Sequence, residues 1–188
     1  MYNLHQTEGF VLSSLDVGEA DRIYNIYTKD FGLVVLRAGG IRLEKSKLRT
    51  NLNLYSFSRV SFIEGKEYLR LTDAEEIKAP PLDEKVFEDL ASAGSLIGRM
   101  VKGQEKDEGL WVFIKSVFDH LYSGAKTGSW FLPLFEARFF HRLGYAYLPE
   151  NSLGQLIAGD DWILEKLTDE EKSSLQKISK ESLEASQL

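Results

Sequence analysis

The spacing of apolar residues changes character at Pro80-Pro81, and this change constrains the fold more than any other feature of the chain. From Thr7 to Ile77, short runs rich in Val, Ile, Leu, Tyr and Phe alternate with glycine and polar breaks, the pattern of packed strands. Five strands are expected, over Gly9–Leu15, Arg22–Thr28, Leu33–Ala38, Leu54–Ile63 and Glu67–Thr72. Glu64-Gly65-Lys66 joins the last two as a short hairpin turn, with Gly65 able to take positive φ. Five antiparallel strands in so short a stretch predict a small closed barrel, because closure hides the edges that would otherwise pair with other chains.

Paired prolines end that region, since proline donates nothing to a strand ladder and restricts the residue before it. The domain boundary is therefore expected there, with a barrel over 1–79 and a helical domain over 80–188. Val86, Leu90, Ala93, Ile97 and Met100 recur at the spacing of one helical face, and Leu110, Phe113, Ile114, Val117, Phe118 and Leu121 repeat the pattern. A third helix, from Trp130 to Leu143, is apolar on most sides and is expected at the centre of a bundle, with Pro133 in its first turn. Thr168-Asp169-Glu170-Glu171 has the form of a capping box that opens a last, more polar helix carrying Leu175, Ile178 and Leu183.

The 188 residues are 43% hydrophobic, enough for an ordinary buried core. A formal charge of −6 weighs against a protein coated in nucleic acid, because phosphate binding is driven by Lys and Arg displacing counterions. Any such binding must come from a local basic patch. The absence of cysteine excludes disulfides, thiolate zinc sites, iron–sulfur clusters and cysteine nucleophiles, and fits a reducing cytoplasm. Neither a signal peptide nor a membrane span is expected, as the N-terminus lacks an apolar core and no run of apolar residues is long enough.

The basic patch is found in the segment Arg37-Ala38-Gly39-Gly40-Ile41-Arg42-Leu43-Glu44-Lys45-Ser46-Lys47-Leu48-Arg49, where Arg37, Arg42, Lys45, Lys47 and Arg49 face a single acid. Spaced cations on a loop leaving a barrel strand can track a phosphate backbone, with Ser46 and the Gly39-Gly40 amides adding hydrogen bonds. The alternative is a flexible solvated loop whose charges only keep it soluble. Arg59, Lys66 and Arg70 on the last two strands would extend the basic surface. Tyr24, Tyr27, Tyr55, Phe57 and Tyr68 lie on expected strands; most belong to the core, and one or two facing outward would offer rings for unpaired bases.

Thr7-Glu8-Gly9-Phe10-Val11-Leu12, Gly18-Glu19-Ala20-Asp21-Arg22-Ile23, Phe31-Gly32, and Gly40-Ile41-Arg42 followed by Lys45-Ser46-Lys47-Leu48-Arg49 resemble, in order and spacing, the N-terminal signature of the RecO family of bacterial recombination mediators. Phe135 to Tyr145 looks like that family's long helix ending in Leu-Gly-Tyr, so the resemblance runs from Thr7 to Tyr147. It implies a β + α architecture, a five-stranded OB-type barrel followed by an α-helical C-terminal domain. It also implies binding to single- and double-stranded DNA, annealing of complementary strands, and partnership with RecR and single-stranded DNA-binding protein in loading RecA, all without ATP, cofactor or catalytic residue. Many members carry a four-cysteine zinc module after the Leu-Gly-Tyr helix; this chain has no cysteine, and its stretch from Leu148 to Leu188 is shorter than the usual C-terminal part, which fits a divergent, zinc-free member.

Enzymatic readings find little support. Glu19 and Asp21, beside Arg22 at a strand entrance, read as turn-forming and charge-pairing residues rather than a catalytic carboxylate pair, and Glu75-Glu76 and Asp160-Asp161 as a solvated strand end and a helix N-cap. His5, His120 and His141 lack any spacing that would gather them on a metal, and phosphate-loop, dinucleotide and nucleophile-elbow motifs are all missing. Arg138 and Arg142, at i and i+4 on the most apolar helix, offer a basic rim for a short acidic peptide with an aromatic tip, such as the tail of single-stranded DNA-binding protein. The alternative pairs them with a carboxylate, Glu136 or an N-terminal acid. A competing view of the whole chain is an OB-fold protein-interaction module with weak DNA affinity, in keeping with its acidic balance.

Overall fold

Residues 3–125, 127–162 and 167–186 are described by the structure, a computed structural model. The chain divides into two compact units, Met1–Leu82 with Gly94–Trp111, and Asp83–Ala93 with Val112–Leu188.

In the first unit, β1 (Leu4–Val17), β2 (Asp21–Thr28), β3 (Gly32–Ala38), β4 (Phe57–Glu64) and β5 (Leu69–Lys78) close into a barrel in the order β1-β2-β3-β5-β4. Strands β3 and β5 run parallel, pairing Leu36 with Leu69 and Arg37 with Arg70; the other pairs are antiparallel. This is the OB-type barrel expected. Its interior holds Val11, Tyr24, Ile26, Val34, Leu36, Val60 and Phe62, all at most 2% exposed, so alternate residues of β2, β3 and β4 fill the core.

Three strands differ in extent from the sequence expectation. Strand β1 is much longer, because its first half pairs with β4 and its second half with β2, with a bulge between Val11 and Ser13 in the pairing with β2. Its polar start, from His5 to Glu8, carries too little apolar alternation to be recognised. Strand β4 begins only at Phe57, since Tyr55 turns the chain at φ 60° while its N–H donates to Val11 O at 2.8 Å. Strand β5 continues to Lys78, with Leu71 and Ala74 facing the core and Glu75 within the strand rather than at its end.

Residues 39–56 connect β3 to β4. They form successive turns, with Leu43 N–H bonded to Gly40 O and Ser46 N–H to Leu43 O, and buried Ile41 and Leu52 anchor the segment on the barrel core. The basic stretch is thus tethered, not a free loop.

Helices α1 (Glu84–Met100) and α2 (Glu108–Tyr122) have the predicted apolar faces, and Leu110, Phe113, Ile114, Val117, Phe118 and Leu121 are all buried. In the second unit, α3 (Phe131–Arg142) buries seven of its residues, as its apolar circumference predicts. Phe113, Phe135 and Phe139 stack with ring planes within about 15° of one another. Helix α4 (Ser152–Ala158), unforeseen from sequence, is capped by the Asn151 side chain, which accepts from Leu153 and Gly154 N–H groups. Helix α5 (Asp169–Ala185) starts at the predicted capping box, Thr168 with Glu171. The described residues include no helix long and apolar enough to cross a membrane.

Candidate nucleic-acid interface

Two clefts on the first unit collect basic side chains. The first lies beside the β4–β5 hairpin and has a volume of about 380 Å³. Gly65 N–H donates to Tyr68 O at 3.0 Å, and a Cβ at position 65 would stand 2.4 Å from that oxygen, so the turn needs glycine there. The turn sets Tyr68, 48% exposed, near the end of β3, where Arg37 and Arg70 are register partners. Arg37 donates through Nε and Nη2 to Asp21 Oδ2 at 2.9 and 2.7 Å, and its guanidinium carbon lies 5.8 Å from the centre of the Tyr68 ring. Asp21 Oδ1 accepts from Gly40 N–H at 2.8 Å, and that bond, followed by the Arg37 pair, holds the Asp21 carboxyl below the usual carboxylate range. Lys66 and Arg70, both exposed, complete the basic wall.

The second cleft, about 340 Å³, is lined by Asp16, Arg22, Ile41, Arg42 and Arg49. Arg22 Nε bonds Asp16 Oδ1 at 2.6 Å and Arg42 Nε approaches the other oxygen at 3.3 Å, so the bond from Arg22 in particular lowers the Asp16 pKa. Arg42 is further fixed by Nη1 donating to Gly18 O at 2.9 Å. Two cations thus hold one carboxylate, with Arg49 on the same cleft, so the carboxylate organises the cations without neutralising them.

Lys45 and Lys47 are exposed and make no ion pair among the described residues. The Gly40 amide, expected to be free for phosphate, is instead occupied by Asp21. Arg59 is also placed otherwise than expected: Glu8 and Glu75 bracket it at 3.2 and 2.7 Å across neighbouring strands, and it does not extend the basic surface. Of the five aromatics expected on strands, Tyr24 and Tyr27 are buried, Tyr55 and Phe57 are partly buried, and only Tyr68 faces solvent; Tyr55 and Tyr68 lie in turns just before β4 and β5 rather than on strands.

Arg138 and Arg142 occupy different environments in the second unit. Arg138 is 1% exposed, so it forms no rim; its guanidinium lies 4.6 Å from the Trp162 ring centre and donates to Leu156 O, with Nη1 unpartnered among the described residues. Burial pushes its pKa down to about 10, which still leaves it charged at neutral pH. Arg142 lies over Phe113 at 4.6 Å and pairs with Asp160, which therefore serves as an ion-pair partner rather than the expected N-cap. Glu136, the expected partner of the arginines, instead accepts from Ser179 Oγ.

Asp21 is charge-paired, as expected, but with Arg37, and neither its partners nor that of Arg22 was visible in the sequence. Both belong to the Gly18–Ile23 motif, but their partners lie on the neighbouring strands and the turn that follows β3, at Asp16 and at Arg37 and Gly40.

Residues 1–80 match the family model for the N-terminal domain of recombination protein O. Among individual proteins, the chain is similar to the DNA repair protein RecO of Rubrobacter xylanophilus, 38% identical over 76 residues, which are 40% of this chain and 31% of that protein. A longer match, 29% identical over 153 residues, relates 80% of this chain to 54% of the DNA repair protein RecO of Heliobacterium modesticaldum. The protein of the same name from Caldanaerobacter subterraneus is 27% identical over 143 residues, 74% of this chain and 58% of that one. The chain therefore spans less than two thirds of each of these relatives.

Proposed function

We propose that this chain, which belongs to the RecO family through its first 80 residues, is a DNA-binding recombination mediator that acts in DNA repair by holding strands and not by catalysis. One observation carries this: in a chain of net charge −6, the OB-type barrel gathers Arg37, Lys66 and Arg70 around an exposed tyrosine, and Arg22, Arg42 and Arg49 in a neighbouring cleft. Cations spaced along a barrel surface with an available aromatic ring suit a single-stranded backbone with unstacked bases. Exposed Lys45 and Lys47 add charge that double strands can share. Holding two complementary strands while screening their repulsion is the physical requirement for annealing, and two basic clefts meet it.

Family membership supports partnership with RecR and single-stranded DNA-binding protein in RecA loading. The acidic tail of the latter would engage Arg142 by displacing Asp160, with Arg138 supplying a buried positive charge behind it. A second reading, an interaction module with weak DNA affinity, is favoured by the acids that pair with Arg37, Arg42 and Arg59. Fluorescence anisotropy with a labelled single strand across a salt series separates the two. The mediator binds with a steep linear fall of log affinity against log salt; binding that is weak and insensitive to salt supports the second reading.

A further inference from the structure

We propose, building on the DNA-binding function above, that Tyr68 is a stacking platform for an unpaired base. It makes the hairpin cleft selective for single strands, while the arginine cleft grips the phosphates of single and double strands alike.

Tyr68, in the bend just before β5, is the one aromatic of the five expected on strands that faces solvent, at 48% exposure. Its position is fixed from both ends. Gly65 pins its backbone through the 3.0 Å hydrogen bond, and Arg37 packs against its ring from a guanidinium that Asp21 holds by two bonds. A ring held in this way gives up little side-chain entropy when a base settles on it, which favours stacking over a loose contact. Lys66 and Arg70 stand on the same cleft, placed for the phosphates that flank a stacked base.

A paired base has both faces covered by its neighbours in the duplex. It reaches Tyr68 only if it leaves the stack, at a cost of a few kcal/mol. The hairpin cleft, which also carries the exposed carboxylate of Glu67, thus discriminates against duplex by geometry. No ring lines the other cleft, where Ile41 is the only apolar residue among Asp16 and three arginines. Guanidinium groups read phosphate, which both forms of DNA present. Two grips of different selectivity on one barrel allow one strand to be held by its bases while another is held by its backbone.

The test compares Tyr68→Leu and Tyr68→Phe in the full chain, using three probes: an oligothymidylate, an abasic strand of the same length and a duplex. The wild type and Tyr68→Phe should prefer the oligothymidylate to the abasic strand by about 5- to 100-fold, the range expected for one stacked base. Tyr68→Leu should lose most of that preference, while its duplex affinity, salt slope and thermal midpoint stay at wild-type values. A Tyr68→Leu protein that keeps the preference, or a wild type that binds both strands equally, overturns the inference and leaves the DNA-binding function standing. A wild type that binds none of the three overturns both.

Discussion

Replacing Lys45, Lys47 and Arg49 together with Glu tests whether the tethered segment after β3 contacts DNA. Lys45 and Lys47 are exposed and make no ion pair among the described residues, and Arg49 lines the cleft with Arg22 and Arg42. None contributes a buried side chain, so the fold should lose less than about 0.5 kcal/mol. Buried Ile41 and Leu52, which anchor the segment, are untouched. If each cation neutralises one phosphate, the slope of log affinity against log salt for a single strand should flatten by about 2, at roughly 0.7 per contact. The wild type's advantage over the triple variant should then shrink by about 20-fold as salt is raised about fourfold. Anisotropy titrations at several salt concentrations measure this, with circular dichroism to establish that the variant is folded. Annealing of complementary strands should decline in parallel. A folded triple variant with the wild-type slope would refute phosphate contact by this segment and make it a solvated connection.

Three further outcomes are expected. His120 stacks on Phe131, its buried Nε2 has no hydrogen-bond partner among the described residues, and burial lowers its pKa from 6.5; the unfolded chain then takes up a proton that the folded imidazole refuses. Its contribution to stability is therefore complete above about pH 6.5 and falls as pH drops, so the urea midpoint should decline from about pH 7 to pH 5 more steeply in wild type than in His120→Gln; parallel profiles would contradict this. Gly32 has φ +60°, and a Cβ there would lie 2.4 Å from Glu105 O, so Gly32→Ala should cost about 2 kcal/mol or more in denaturant unfolding, and an unchanged midpoint would refute the packing described. Asp160→Asn, by releasing Arg142, should raise affinity for an acidic peptide ending in Phe, measured by calorimetry, whereas Arg142→Glu should abolish it; equal affinities in wild type and both variants would remove Arg142 from a peptide site.

Much of the fold was legible because periodicity is local. The apolar faces of α1, α2 and α3, the capping box at Thr168 and the turn at Gly65 each depend on residues a few positions apart. The strand errors came where burial is decided by distant partners: the polar start of β1 is a strand only because β4 lies beside it, and Tyr55 leaves the extended conformation because its N–H is bound by Val11. The site divides in the same way. A cluster of five cations after β3 can be read from composition, but which of them are already paired cannot. Arg59 looked like its neighbours until Glu8 and Glu75, from two other strands, were found on either side of it. Arg138 shows the same limit, since its i, i+4 relation to Arg142 does not reveal that Trp162 covers one and Asp160 holds the other.

DNA bound as proposed lies across the hairpin cleft, the arginine cleft and the segment that follows β3. Backbone amide shifts of the isotopically labelled chain, followed as an oligothymidylate is added, test it residue by residue. The largest changes should fall on Arg37, on the stretch from Gly39 to Arg49 and on Gly65 to Arg70, with Arg59 and the surrounding Glu8 and Glu75 little affected. Changes centred on Arg59, or confined to the helical unit with the barrel amides unmoved, would contradict it.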